Sequence, residues 1–171
     1  MSEENVSLLL QDLDDEDQGG VQYLTFLLNK EQYGLSILQV QEIRGWEHVT
    51  RVPNSPQYIK GVVNLRGNIV PVMDLRMRFG LPSIPYTKET VVIVVRAGKD
   101  GHERSMGLVV DAVSDVLVVQ DDRVSSTPDF GAGVPTENIK GLVNDGEQMV
   151  MLLDLETLAI SNSQNSDKDA A

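Results

Sequence analysis

No cysteine occurs in the 171 residues. That excludes disulfides, a thiolate nucleophile and any zinc site built on Cys ligands, and it fits a reducing compartment such as the cytoplasm. Aromatic residues make up only 5% of the chain, and they are too scattered to form a platform on which nucleic-acid bases stack. Basic residues are outnumbered 14 to 26 by acidic ones, and they form no stripe that would track a phosphate backbone or an anionic membrane surface. No apolar run approaches the length needed to cross a membrane. The N-terminus lacks a basic region followed by an apolar core and a cleavage site, so a soluble, unexported chain is expected.

Catalytic signatures are equally sparse. The only histidines, His48 and His102, lie in polar, turn-like contexts with no second ligand at metal-binding spacing, so both read as surface residues and no metal is expected. There is no P-loop, no strand-borne G-x-G-x-x-G and no G-x-S-x-G. Asp111 and Asp115 are the nearest approach to a carboxylate pair, open to two readings: acid–base chemistry, or solvated acids on a strand. No catalytic residue and no cofactor is nominated.

The net charge of −12 is unevenly spread. Residues 1–20 hold seven acidic side chains and no basic one, and residues 161–171 carry a net −1; removing both contributions from the total leaves −4 for residues 21–160. Both ends are polar and read as disordered tails. Within the first, Val6, Leu9, Leu10 and Leu13 recur at helical spacing, which suits either a frayed tail or one short amphipathic helix laid on a partner.

From residue 21 the texture changes to short runs of branched apolar residues, punctuated about every ten residues by glycine or proline. VQYLTFLL, Val21 to Leu28, followed by a turn and a second run from Tyr33, reads as a hairpin, as do TVVIVV, Thr90 to Val95, and MGLVV, Met106 to Val110, joined across GKDG. The expected fold is all-β, with about ten short strands and one or two short helical turns.

Self-comparison reveals a repeat. IKGVVNLRGNIVPVMDL, Ile59 to Leu75, set against IKGLVNDGEQMVMLLDL, Ile139 to Leu155, matches at 8 of 17 positions, where chance would give about one. YGLSILQVQEI, Tyr33 to Ile43, resembles MGLVVDAVSDV, Met106 to Val116, at an offset of 73 rather than 80. Two copies of a five-stranded unit follow, a size at which a small barrel closes its own edges.

Positions kept in both copies answer a shared packing need: Gly61/Gly141 as close backbone approaches, Asn64/Asn144 as a turn hydrogen bond, and Asp74/Asp154 as strand ends. The hairpin tip is not kept, since Leu65-Arg66-Gly67 becomes Asp145-Gly146-Glu147. Arg66 is therefore either a solvated arginine in a permissive turn or one half of a recognition pair with Leu65. The longer middle loop of the second copy displays Phe130 among small and polar residues, as an anchor for a partner or tucked under its own loop.

YGLSILQVQEIRG (Tyr33 to Gly45), the motif P-x-x-I-K-G-V-V-N-L-R-G-x-I-V-P-V-x-D-L-R (Pro56 to Arg76), TVVIV (Thr90 to Val94) and GLVVDAVSDVL (Gly107 to Leu117) together resemble the CheW-type coupling proteins of bacterial chemotaxis. The resemblance covers nearly all of residues 21–160. It implies two intertwined SH3-like five-stranded barrels, about 21–88 and 89–160, with exchange of strands between them left open. It also implies a non-catalytic cytoplasmic adaptor, recruited to membrane-bound chemoreceptor arrays, that links the helical tip of a methyl-accepting chemoreceptor to the regulatory domain of the CheA histidine kinase. Copies of the coupler would alternate with the kinase in rings. The matching receptor-binding positions are Val40, Glu42, Ile43, Leu65, Arg66, Val91, Val92 and Gly107, and Val49 and Phe130 are the kinase-binding nominations. The acidic tail has no counterpart in the family motif. Two rivals are a small-ligand or hydrolytic barrel enzyme using the Asp111 region and an oligonucleotide-binding small barrel.

Overall fold

The computed structural model describes residues 20–98, 101–126, 136–146 and 148–159. The two tails, Gly20 apart, and the loop bearing Phe130 lie outside the described residues. Among these residues ten strands form: β1 (Val21–Leu28), β2 (Glu31–Ser36), β3 (Val40–Gly45), β4 (Ile59–Leu65), β5 (Asn68–Asp74), β6 (Val91–Ala97), β7 (Arg104–Val110), β8 (Ala112–Val119), β9 (Ile139–Asp145) and β10 (Gln148–Leu153). Two short helices, α1 (Leu75–Arg78) and α2 (155–159), follow β5 and β10. No helix among the described residues is long and apolar enough to cross a membrane.

The strands make two five-stranded sheets, ordered β8-β1-β2-β10-β9 and β3-β6-β7-β5-β4. Each sheet therefore draws strands from both sequence copies, and the halves 21–88 and 89–160 are not the two sheets. The chain crosses from the first sheet to the second through a 3-10 turn at Ile37–Gln39, and returns at Asp111, between β7 and β8. Parallel pairings knit the copies together: Gly34 opposes Leu152 between β2 and β10, and Gly107 opposes Val72 between β7 and β5. These pairs are repeat equivalents. In both, a Cβ on the glycine would crowd the partner strand's side chain, lying 3.0 Å from Leu152 Cδ2 or 3.4 Å from Val72 Cγ2.

Each sheet closes on itself through one bridge, Thr50 to Val62 in one and Ser125 to Leu142 in the other. Gly61 and Gly141 sit beside these closures, which explains why both copies hold glycine there. Asp74 and Asp154 do more than end strands. Asp74 Oδ1 accepts from Met77 N at 3.3 Å and Asp154 Oδ1 from Glu156 N at 3.1 Å, so each caps the helix that follows.

β6 shows why the valine run is continuous. Val91, Ile93 and Val95 face the core between the sheets, whereas Val92 and Val94 face the interior of their own sheet with Val70, Val72 and Val49. Both faces are buried, so the alternation vanishes from the sequence.

At the centre of the inter-sheet core, Tyr33 stacks between Phe26 and Phe79, with ring centroids 5.8 and 6.1 Å away. Burial, reinforced by the charge of Glu31, pushes the Tyr33 phenol up to about 12 from the ordinary 10.0. A phenol that ionises less readily when folded stabilises the fold fully below its unfolded pKa, and that contribution fades as pH climbs through the folded value. Denaturation midpoints should therefore fall between pH 10 and 12, and fall less steeply for Tyr33→Phe. Parallel urea titrations of the two chains across that window check it; identical slopes would exclude the assignment.

Candidate docking furrow

The repeat gives the paired sheets two equivalent ends, each marked by a crossover of the chain and by one short helix. At one end Asp111 occupies the crossover, and its repeat counterpart at the other end is Leu38. The two ends are finished in opposite ways.

The Asp111 end is locked. The Arg76 guanidinium on α1 donates to both carboxylate oxygens of Asp111 at 2.8 Å, and its remaining terminal nitrogen donates to the Pro82 carbonyl at 2.6 Å. The same carboxylate accepts from Asn29 N in the β1–β2 turn at 2.9 Å. Asp111 N in turn donates to the Leu27 carbonyl. The hydrogen bonds that Arg76 donates to Asp111 raise its pKa above its already high ordinary value, outweighing the opposing effect of burial. The following loop is clamped down by the Tyr86 hydroxyl, which donates to Asp74 Oδ2 at 2.6 Å, and by Leu81 packed on the core.

Among the described residues the Leu38 end carries exposed apolar side chains. Leu38, on the 3-10 turn, is 91% exposed, and the turn packs against β1 and β6. On the first sheet Val118 is 49% exposed. On the second, Ile69 is 65% exposed, three residues before the Val72–Gly107 pair and on the same face of β5 as the buried Met73. The register Val40–Val95 and Val95–Met106 places that stretch of β5 at the end where β3 begins. Val40 and Val116 are half-buried against the inter-sheet core. At the β4–β5 tip Arg66 adopts φ 53°, and the turn is held by Gly67 N donating to Asn64 Oδ1 at 2.9 Å. The Arg66 guanidinium is exposed and makes no hydrogen bond or ion pair among the described residues. Exposed apolar side chains on both sheets at this end, with an unengaged cation at the hairpin tip, suit the apolar face of an amphipathic segment.

The nominated receptor positions do not form one line. Val40, Ile43 and Val91 belong to the inter-sheet face, and Val91 is buried at 8% exposure. Leu65, Val92 and Gly107 line a shallow apolar depression on the opposite face of the second sheet. Glu42, half-buried, pairs with the guanidinium of Arg44 at 3.8 Å. Arg66 stands at the tip between the two faces. Of the kinase nominations, Val49 lines an open cavity with Trp46, His48, Arg51 and Val52, yet is itself buried among the valines of the second sheet; Phe130 falls outside the described residues.

Leu38, Ile69 and Val118 were not nominated from the sequence. The signal was present only as the substitution of Leu38 for Asp111 between repeats. As for the carboxylates, Asp111 is committed to Arg76, while the Asp115 backbone exchanges hydrogen bonds with the Thr25 hydroxyl at a β-bulge. His48 and His102 are both exposed.

Comparison with known proteins supplies an independent observation. The CheW-like domain profile matches residues 22–162. The chain is 46% identical over 142 residues to the chemotaxis protein CheW of Klebsiella aerogenes, covering 83% of each chain. It is 34% identical over 142 residues to the probable chemotaxis protein CheW of Rhizobium etli, covering 83% of this chain and 89% of that one. Among solved structures, the scaffolding protein TtCheW from Thermoanaerobacter tengcongensis superposes with a TM-score of 0.74 at 30% identity, over 81% of this chain and 92% of that one.

Proposed function

The chain belongs to the CheW-like family of chemotaxis scaffold proteins, and we propose that it is a non-catalytic cytoplasmic adaptor joining a chemoreceptor's helical tip to the regulatory domain of a CheA-type kinase. The observation that carries this reading is the open end of the fold. Its repeat-related twin carries the Arg76–Asp111 pair, with Met149, the counterpart of Ile69, 47% exposed there, while among the described residues this end leaves Leu38, Ile69 and Val118 exposed. An amphipathic receptor helix would set apolar anchors against those side chains. Arg66 would meet a carboxylate or carbonyl on the helix and fix its register.

The kinase would use the far rim of the second sheet, where Arg51 and Val52 are exposed around the buried Val49. Phe130, outside the described residues, stays a kinase-binding nomination beside Val49, and neighbouring couplers in a ring would meet the corresponding rim of the first sheet. With both partners held, the protein's effect is a coupling free energy between them rather than a reaction.

Binding of a purified receptor cytoplasmic fragment, followed by calorimetry, tests the reading. Arg66→Ala should weaken it by about tenfold, equivalent to roughly 1.4 kcal/mol, and Ile69→Asp by more. Neither exposed side chain supports the fold, so both melting temperatures should stay near that of the parent. Unchanged affinity in both variants would remove the furrow from the receptor interface.

A further inference from the structure

The furrow has a candidate occupant within the chain itself. Residues 1–19 lie outside the described structure, and the chain enters it at Gly20. That entry point is beside the furrow: a Cβ built on Gly20 would stand 2.8 Å from Val118 Cγ1. In the preceding sequence Val6, Leu9, Leu10 and Leu13 recur at helical spacing, with seven acidic residues and no basic one among residues 1–20.

We propose that residues 6–13 dock as a short amphipathic helix in this chain's own furrow, at Leu38, Ile69 and Val118, so that a receptor helix must displace them to bind. The inference rests on the reading of the furrow as the receptor site.

Reach is ample. Leu13 is seven residues from Gly20, and an extended chain covers at most about 3.3–3.6 Å per residue, so the helix can sit anywhere within about 25 Å of Val118. From Val6 to Leu13 a helix is only about 10 Å long. Charge is complementary too. Arg66 at the β4–β5 tip and Arg104 at the start of β7 are exposed, and neither has an ion-pair partner among the described residues. The acidic residues that surround the leucines would face them. The other tail is a poorer occupant, because residues 161–171 contain no large apolar side chain.

Tethering converts weak docking into effective competition, since a short linker holds the segment at an effective concentration in the millimolar range. A receptor helix would then bind less tightly by the factor that the docked state exceeds the open one. Even a marginal peptide affinity sets that factor at about threefold to tenfold.

The absence of cysteine makes the test direct. A nitroxide is attached to Ser7→Cys in the otherwise native full-length chain, and paramagnetic broadening of backbone amides is read by NMR. The expected result is broadening at Leu38, Ile69 and Val118, lost when Leu9, Leu10 and Leu13 are all replaced by Gln and relieved by saturating receptor fragment. The unlabelled triple variant should bind that fragment about threefold to tenfold more tightly than the parent. No broadening at those amides, together with unchanged fragment affinity, overturns the inference while leaving the receptor reading intact. Broadening that persists under saturating fragment overturns the competition. Broadening with fragment affinity insensitive to Ile69→Asp upholds the docked tail and removes the receptor reading instead.

Discussion

Asp111→Asn should lower the stability of the protein by about 3 kcal/mol, because it strands a guanidinium that the fold has already taken out of water. Arg76 is only 10% exposed along its side chain and Asp111 21%, and the two share a pair of 2.8 Å hydrogen bonds. Replacing one carboxylate oxygen by an amide nitrogen turns one acceptor into a donor aimed at a donor, and leaves the cation uncompensated. The damage also spreads: the Asp111 carboxylate holds Asn29 N, and Arg76 holds the Pro82 carbonyl, so the β1–β2 turn and the loop after α1 both lose an attachment. For a chain of this size the expected fall in melting temperature is roughly 6–12 °C. The paired variant Arg76→Met/Asp111→Leu should recover much of the loss, because replacing both partners removes the buried charge itself. A double variant as unstable as Asp111→Asn would show that the ionic pair contributes far more than its own desolvation. The open end should be indifferent: receptor-fragment binding by folded Asp111→Asn is expected to match the parent, since the furrow lies at the opposite crossover.

The same pair shows which part of the fold was legible in the sequence and which was not. Valine-rich runs, glycine-bearing turns and the internal repeat are local or self-referential signals, and they located the strands, the β1–β2 and β6–β7 hairpins and the internal duplication. Asn29 and Lys30, at φ 54° and 68°, form the tight left-handed turn that joins β1 to β2. Exchange of strands between the copies is another matter, because nothing in a strand's own pattern states that β2 will pair in parallel with β10, or β5 with β7. Likewise Arg76 and Asp111 meet across 35 residues, and neither position announces the other.

The site divides along the same line. Arg66 stood out because the hairpin tip differs between the copies while its flanks do not. Val91 and Val92 are adjacent in a run with no alternation, so the sequence could not tell that one is sealed between the sheets and the other turned into the second sheet's interior; a single residue step decides the face. Leu38 was hidden for a different reason. An exposed leucine is recognisable only by what the fold fails to put over it. The repeat makes this explicit, setting an acid in a closed lock at one crossover and an aliphatic side chain in water at the other. Duplication supplied a symmetric scaffold, and loss of symmetry at these equivalent positions left an ion pair at one crossover and an exposed leucine at the other.

Gly61→Ala should be at least as damaging, by about 3–5 kcal/mol, and for a reason located in the backbone. A Cβ at this position would lie 2.3 Å from the Thr50 carbonyl oxygen and 2.8 Å from the carbonyl carbon, in a residue held at φ 152°. The obstacle is backbone, so no rotamer change relieves it. Thr50 must withdraw, and with it go the two hydrogen bonds it exchanges with Val62, at 2.8 and 3.0 Å, that close the second sheet. Two such bonds contribute about 1 kcal/mol each, and the backbone strain adds about 1–3 kcal/mol. Two other glycines act as controls. Gly141 meets a Val124 methyl at 2.5 Å and the Ser125 carbonyl oxygen at 3.2 Å, so its close clash is with a side chain rather than with backbone, and Gly141→Ala should cost less than its repeat counterpart. Gly67, at φ 87° with nothing within 4 Å, isolates the backbone preference alone, about 1 kcal/mol. Chemical denaturation of the three variants should therefore rank Gly61→Ala well below Gly141→Ala and Gly67→Ala. Hydrogen exchange should show protection lost first at the Thr50 and Val62 amides, with the amides of β1 and β8 in the other sheet unaffected under native conditions. If Gly61→Ala proved no worse than Gly67→Ala, the Thr50–Val62 bridge could not be what shuts the second sheet, and the rim around Val49 proposed for the kinase would have no fixed shape to offer.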